Sequence, residues 1–331
     1  MNAQHIDPLG TVAEVVATES RPTPGPIAVL PESEPRFVEA VEAGGGTVAA
    51  LSDETRGVVW LTASGADELK AVLDSHPAIE WVQLPWAGVD AFSDLLAGYA
   101  GTPRPLWTSA KGAYSEPVAE HAVALTLALL RGLPEKAKAA SWATTEVGLS
   151  LYGLDVVIVG AGGIAIEIMR LLAPFRPTIT VVRRSDTPLD GADRTVASDR
   201  LLDVLPQADV VILAAASTTG TAKLIGAEQL AAMKPSAVLV NIARGALIDT
   251  DALVAALAAG EIDGAGLDVT DPEPLPDGHP LWHEPRCIIT SHSADTKAMT
   301  RPLLAGRIRV NVEALLGSGR FVGVVDTEAG Y

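Results

Sequence analysis

Three side chains that can take part in ionic or proton-transfer chemistry follow three short apolar segments in the last third of the chain. Arg244 comes directly after one segment, Glu273 follows a second, and His292 follows a third. Short apolar runs bounded by turn residues are typical of buried parallel strands, whose carboxyl ends meet at one edge of a sheet. There a guanidinium can bind a carboxylate, and an imidazole beside a carboxylate can transfer a proton. Each residue alone would more often be structural, but together they favour a catalytic site.

A glycine-rich turn joins an aliphatic segment to a segment with helical spacing of apolar residues. Val156–Val159 is followed by Gly160, Gly162 and Ala165 in a G-x-G-x-x-A spacing. This pattern is typical of a dinucleotide-binding unit, in which the second glycine lets the backbone approach a pyrophosphate at the helix N-terminus. Glycine turns also join strands to helices without any ligand, so the motif alone is weak. The three side chains downstream strengthen the nucleotide interpretation.

The end of the next predicted strand indicates which nicotinamide coenzyme the chain prefers. NAD-binding folds commonly have an acidic residue here that hydrogen-bonds the adenine ribose. This sequence has Arg183, Arg184 and Ser185 instead. Guanidinium groups pair with a 2′-phosphate, which a carboxylate would repel, so we predict NADP(H) in preference to NAD(H). In the alternative, both arginines are only solvated and Asp186 turns back to bind NAD.

The first third of the chain alternates short apolar segments with helical patterns, which is typical of a doubly wound α/β layer. We predict strands at 27–30, 47–51, 57–61 and 79–84, and helices at 34–43 and 66–75. The last strand runs into Trp86, Ala87 and Gly88, where open α/β sheets bind ligands. The backbone there could hold a carboxylate, or it could form an ordinary turn into the next helix.

A long helix is predicted over residues 115–131, with Ser115 at its start. It carries His121 in its second turn. A lone histidine on such a helix more often packs or hydrogen-bonds within the helix than contacts a substrate. We therefore assign His121 no part in the chemistry.

Composition excludes several classes of partner and site. The net charge of −17 argues against nucleic acid or an anionic membrane as a partner. The single cysteine, Cys287, excludes an internal disulfide and a cysteine-based zinc site, and we expect no metal. The N-terminus lacks the blocks of a signal peptide, and no uncharged apolar run reaches the roughly 18 residues of a membrane span. We predict a soluble cytoplasmic protein, with residues 1–24 as a loosely ordered arm.

In their order along the chain, these segments resemble the D-isomer-specific 2-hydroxyacid dehydrogenases. The matching segments are Val118–His121, Gly160–Ala165, Met233–Pro235, Asn241–Asp249, Leu267–Leu275 and Pro280–Trp282 before His292. The resemblance implies an α/β protein with two doubly wound parallel-sheet domains. These would be a Rossmann coenzyme domain at residues 114–297 and a flavodoxin-like substrate domain formed by residues 25–113 and 298–331. It also implies a homodimer formed largely through the coenzyme domain.

The resemblance implies a role for each matching residue. Arg244, Glu273 and His292 would be the catalytic set. The coenzyme contacts, added to Gly160, Gly162 and the residues at 183–185, would be Gly163, Ile164, Thr221, Ile242, Ala243 and Asp268. The backbone of Ala87 and Gly88 would bind the substrate carboxylate, and Trp86 would shape the acyl pocket.

The implied function is hydride transfer between NADP(H) and a 2-oxo acid or D-2-hydroxy acid, with glyoxylate or hydroxypyruvate as the first substrates to expect. A dinucleotide-sensing corepressor or scaffold with the same fold stays open as the alternative, since such a protein can keep all three catalytic side chains.

Overall fold

The computed structural model describes residues 13–142 and 147–328. These residues form two compact units. We call the residues up to Tyr114 together with those from Thr296 on the terminal unit, and Ser115–Asp295 the central unit. The domain limits predicted at 113–114 and 297–298 lie within two residues of these boundaries. The first 12 residues of the predicted arm lie outside the described part of the chain.

The described secondary structure alternates strands with helices, as an α/β protein requires. The strands are β1 (Glu14–Val15), β2 (Ile27–Leu30), β3 (Gly57–Trp60), β4 (Trp81–Gln83), β5 (Leu106–Thr108), β6 (Asp155–Val159), β7 (Thr178–Arg183), β8 (Arg194–Ala197), β9 (Val210–Leu213), β10 (Val238–Asn241), β11 (Gly264–Leu267), β12 (Cys287–Ile289) and β13 (Arg320–Phe321). The helices are α1 (Pro35–Ala43), α2 (Ala66–Ser75), α3 (Ser93–Ala97), α4 (Ser115–Leu130), α5 (Leu133–Ala137), α6 (Gly163–Leu172), α7 (Leu201–Val204), α8 (Ala227–Ala232), α9 (Thr250–Ala259) and α10 (Lys297–Glu313).

The terminal unit is built on a parallel sheet in the order β2-β3-β4-β5. Its central strands are buried because nearly every residue is apolar; Val58 and Val59 are fully buried. The strand predicted at 47–51 is wrong. Only Val48 bridges Ile27, on the open side of β2, and most of that segment is exposed. Because this bridge lies on the side of β2 away from β3, the segment that follows β2 in the chain adds to the sheet before β2. The order of segments therefore reverses at β2, as it does in a flavodoxin-like sheet.

The sequence patterns predict neither β5 nor the pairing of β1 with β13 in the terminal unit. β5 has only three residues and follows a proline, so no apolar run in the sequence indicates a strand there. β1 pairs antiparallel with β13, and the Val16 amide donates to the Gly319 carbonyl at 2.9 Å. The predicted loose arm is therefore wrong for these residues, because β1 is held by the last strand of the chain.

The central unit contains seven parallel strands in the order β12-β11-β10-β9-β6-β7-β8. The order runs in opposite directions from β6, and ligands bind in the crevice at such a reversal point. In the register of the sheet, Asn241 lies beside Leu267 and Leu267 beside Ile289. The segments after these three strands therefore leave the sheet at one edge. The α/β class with parallel sheets is confirmed, and β8 is a strand that the sequence did not predict.

Candidate active site

The glycine loop after β6 has the form that a dinucleotide needs. Gly160 has φ +120°, and a Cβ there would overlap the carbonyl of Ala214 at the end of β9. Gly162 is different, because a Cβ at Gly162 would meet no heavy atom within 4 Å. Packing within the protein therefore does not require glycine at this position, whereas a close-approaching ligand does. The first turn of α6 carries no acidic residue, so its positive end suits a pyrophosphate.

The residues predicted to select NADP(H) follow β7, which pairs directly with β6. Arg183 is the last residue of β7 and is half-buried, while Arg184 and Ser185 are exposed. Asp186 is also exposed. The two guanidinium groups thus lie next to the strand that leads into the glycine loop, on the side away from β9.

The remaining predicted coenzyme residues differ in what they can offer. Gly163 and Ile164 form the first turn of α6. The Thr221 hydroxyl donates to the Ala216 carbonyl at 2.9 Å, so it fixes the turn after β9. Ile242 and Ala243 follow β10 and are only 5% and 8% exposed, so their side chains offer little surface to a ligand.

His292 and Glu273 form a direct pair. His292 Nδ1 lies 2.7 Å from Glu273 Oε1, with side chains 49% and 42% exposed. The backbone of His292 is left-handed, with φ +46°, and its amide donates to the carbonyls of Asp268 and Thr290 at 2.8 and 2.9 Å. Because Glu273 engages Nδ1, the Nε2 atom is the ring nitrogen that remains for a substrate.

Arg244 lies in a turn that a buried amide holds. Asn241, fully buried, accepts from the Ala243 amide at 3.1 Å and donates to the Arg244 carbonyl at 2.8 Å. A Cβ at Gly245 would overlap the carbonyl of Thr270, so the turn after β10 packs directly on the turn after β11. The arginine turn is thereby packed against the segment that leads to Glu273.

Asp268 is a buried carboxylate that organises the loop carrying His292. Its side chain is 1% exposed. It accepts from the Thr290 hydroxyl at 2.6 Å, and from the Ser293 and Ala294 amides at 2.9 and 3.1 Å. The predicted contact of Asp268 with the nicotinamide stays a prediction. The structure adds a role in the loop that the sequence did not suggest.

For His121 the sequence favours packing or a hydrogen bond within the helix over contact with a substrate, but the hydrogen-bonding partner of its ring lies outside α4. Its Nε2 atom lies 2.9 Å from Thr290 Oγ1 and 3.5 Å from Asp268 Oδ1, at the ends of β12 and β11. No spacing rule pairs residues that are 169 positions apart in the chain. Only the fold brings this helix against the histidine loop.

The segment Trp86–Gly88 lies in the terminal unit, shortly after β4, and is half-buried. The Tyr114 hydroxyl donates to the Pro85 carbonyl at 2.6 Å, and its ring meets Trp86 edge-on with centroids 5.9 Å apart. The Ala110 amide also donates to the Trp86 carbonyl at 3.1 Å. Tyr114 therefore supports the predicted carboxylate-binding segment, although no motif in the sequence marked it.

Within residues 13–142 and 147–328, no group of three or more His, Cys, Asp or Glu side chains is placed to hold a metal ion. Over the same residues, none of the helices has the length and apolar character needed to cross a membrane.

Comparison with known proteins identifies the family. Residues 123–294 match the family described as D-isomer specific 2-hydroxyacid dehydrogenase, NAD binding domain. An uncharacterised protein of Corynebacterium melassecola is 41% identical, over 76% of this chain and 84% of that protein. The human glyoxylate reductase/hydroxypyruvate reductase is 35% identical, over 56% of this chain and 60% of the human enzyme.

A solved structure of another protein matches almost the whole chain. The NADPH-dependent glyoxylate/hydroxypyruvate reductase of Sinorhizobium meliloti, in complex with NADP and malonate, is 27% identical with a TM-score of 0.70. The match covers 93% of this chain and 98% of that one. A family match over more than half of the sequence, together with the glycine loop and the His292–Glu273 pair, establishes that this chain belongs to the D-isomer specific 2-hydroxyacid dehydrogenases.

Proposed function

We propose that the protein reduces a small 2-oxo acid, of the glyoxylate or hydroxypyruvate type, to the D-2-hydroxy acid with NADPH. The observation that carries this proposal is the 2.7 Å pair between His292 Nδ1 and Glu273 Oε1 after two neighbouring strands of the nucleotide-binding sheet. The names of the human and S. meliloti relatives support the substrate class. They also favour an enzyme over the corepressor alternative.

The residues of the glycine loop fit a nicotinamide dinucleotide, with Gly162 leaving room before α6 for the pyrophosphate. When bound, NADPH supplies the hydride that adds to the keto carbon of the substrate. Negative charge then develops on the substrate oxygen, and His292 donates a proton to that oxygen from Nε2 as general acid. Glu273 accepts from Nδ1–H, which fixes the orientation of the ring.

Arg244 supplies the positive charge of the proposed site. A guanidinium beside the keto oxygen stabilises the charge that develops during reduction, and it can bind the substrate carboxylate as well. The bonds from Asn241 and the contact of Gly245 with Thr270 hold its turn before substrate arrives. Such preorganisation matters because the donors then need no reorganisation at the moment of reaction.

The preference for NADPH rests on Arg183 and Arg184. We predict that Arg183→Asp lowers the ratio of kcat/KM with NADPH to kcat/KM with NADH. The drop should be about 10-fold to 100-fold, since hydrogen bonds to charged groups contribute roughly 1.5–3 kcal/mol. Arg200→Asp, which makes the same charge change at an exposed site bonded to Asp203, is the control and should leave the ratio unchanged. An unchanged ratio in Arg183→Asp would mean that Arg183 is only solvated and does not bind the 2′-phosphate.

A panel of 2-oxo acids with each coenzyme tests the function itself. Glyoxylate, hydroxypyruvate and phenylpyruvate are added to the protein with NADPH or NADH, and the loss of reduced-coenzyme absorbance is followed. We expect turnover with at least one small 2-oxo acid, and faster turnover with NADPH. Tight coenzyme binding without turnover of any acid would favour the corepressor or scaffold.

A further inference from the structure

We propose that His121 is a positioning residue for His292, acting through the Thr290 hydroxyl and the Asp268 carboxylate. The inference rests on the proposed role of His292 as general acid. His121 lies on α4, and its imidazole reaches the loop at 290–294 through these two side chains.

The hydrogens in this chain of contacts can be assigned from the distances together with the donors and acceptors that each group offers. The Thr290 hydroxyl has one hydrogen, and its 2.6 Å bond to Asp268 Oδ1 uses it, because a carboxylate without a proton can only accept. The 2.9 Å contact from Thr290 Oγ1 to His121 Nε2 must then have the imidazole as donor. His121 therefore carries its proton on Nε2, and this N–H fixes the rotation of the Thr290 hydroxyl.

That hydroxyl is one of the groups that hold the Asp268 carboxylate in place. The same carboxylate accepts from the Ser293 and Ala294 amides, directly after His292 in the chain. The backbone carbonyl of Asp268 accepts from the His292 amide. Every one of these bonds restrains the left-handed turn at His292, a conformation that a non-glycine residue keeps only where its surroundings impose it.

His121 is well placed to act as the fixed end of this chain. α4 packs against α6, β10 and β11, and Ala119 and Ala122, which lie close to His121 on this helix, are fully buried. The imidazole is 22% exposed, whereas the Asp268 side chain is 1% exposed. Loss of the His121 N–H would remove one of the two bonds that orient the Thr290 hydroxyl, and the loop that aims His292 at Glu273 would lose one restraint.

The first test compares two replacements that differ in reach. In His121→Gln the side-chain amide N–H can lie close to the position of Nε2, while in His121→Asn it is too short. We expect His121→Asn to lower kcat by roughly tenfold to a hundredfold, as small misplacements of reacting groups do, with NADPH affinity unchanged. His121→Gln should restore most of kcat. His283→Asn, which changes an exposed histidine of the same unit, is the control.

A double-mutant cycle checks the route through Thr290. Thr290→Val removes the hydroxyl at nearly constant shape, and Thr290→Ser keeps it. If His121 acts through this hydroxyl, the losses in kcat from His121→Asn and Thr290→Val are not additive, and Thr290→Ser stays close to wild type. Additive losses, or a full loss in the serine variant, would overturn the route.

An NMR measurement tests the positioning without using activity. A long-range ¹H–¹⁵N spectrum should show His121 protonated at Nε2, and His121→Asn should shift the amide signals of residues 291–294 while His121→Gln leaves them near wild type. Unshifted amides, or an unchanged kcat in His121→Asn, would overturn the proposal. If wild-type protein reduces no 2-oxo acid, the proposed function fails, and the amide shifts alone then decide whether His121 positions the loop.

Discussion

His292 adopts a backbone conformation that few residues other than glycine tolerate, and it does so beside the carboxylate that the sequence predicted as its partner. The pairing was predictable because Glu273 and His292 both follow the ends of neighbouring strands. The restraint on the loop was not, because it comes from a helix residue far away in the sequence. The structure therefore brings the two predicted side chains together and adds contacts that hold the loop carrying His292.

His292→Ala removes the proposed general acid. We expect kcat for reduction to fall by roughly 10²-fold to 10⁴-fold, the contribution of a positioned acid or base. The measurement is steady-state NADPH oxidation with glyoxylate, with NADPH binding followed separately by fluorescence. Binding should be close to wild type, because His292 is not among the residues predicted to hold the coenzyme. Undiminished turnover would remove His292 from the mechanism.

Glu273→Gln replaces a carboxylate with a neutral amide of the same shape. The amide can still contact Nδ1, but it holds the ring less firmly, because a hydrogen bond to a charged acceptor is stronger than one to a neutral acceptor. We expect kcat to fall by roughly tenfold, since losing a charge-assisted bond costs about 1.5 kcal/mol, while NADPH affinity stays close to wild type. Steady-state NADPH oxidation with glyoxylate and a separate NADPH titration measure the two quantities. An unchanged kcat would mean that the 2.7 Å pair does not orient the ring for proton transfer.

At the scale of secondary structure, the sequence predicts the buried strands of the sheets but not the short strands at their edges. β6, β9 and β10 are almost entirely apolar and buried, and their positions follow from the apolar runs in the sequence. β5 and β8 carry too few apolar residues to stand out, and the segment at 47–51 is apolar enough to suggest a strand yet forms one bridge. Edge elements depend on their neighbours, which sequence patterns do not reveal.

The glycines of the coenzyme loop allow a test of element geometry. Gly162 has φ −82°, a conformation open to any residue, and no atom lies within 4 Å of its missing side chain. Gly162→Ala should therefore leave the free energy of unfolding unchanged. It should weaken NADPH binding by roughly tenfold, because the methyl group overpacks against the pyrophosphate and overpacking costs about 1–3 kcal/mol.

Gly317→Ala is the matched control for that variant, since a side chain there also meets nothing within 4 Å but lies in the terminal unit. Urea denaturation and a fluorescence titration with NADPH measure the two effects. An alanine variant at 162 that binds NADPH like wild type would place the pyrophosphate elsewhere.

At the scale of the whole molecule, the distribution of exposed apolar side chains points to one unit. Of the ten large apolar residues that the described chain exposes, six lie between 133 and 166 in the central unit, and Trp142 is 95% exposed. Six exposed apolar side chains within one stretch of the chain are compatible with an interaction surface. They fit the homodimer through the coenzyme domain that the family resemblance implies.

We therefore predict that light scattering after size exclusion gives twice the chain mass of 34.2 kDa. Trp142→Asp should shift the protein towards the monomer, because a charge at a buried interface loses its hydration without a partner. Leu316→Asp changes an exposed apolar residue of the terminal unit and should leave the mass unaltered. A monomeric wild type at micromolar concentration would contradict the predicted dimer.

Hydride transfer from NADPH to a 2-oxo acid beside His292, Glu273 and Arg244 can be tested by following the hydride itself. Hydroxypyruvate is incubated with the protein and NADPH that carries deuterium on the transferred position of the nicotinamide, and the product is analysed by NMR and chiral chromatography. We expect D-glycerate with deuterium at C2. Formation of the L isomer, appearance of the deuterium in solvent, or no product from any small 2-oxo acid would contradict it.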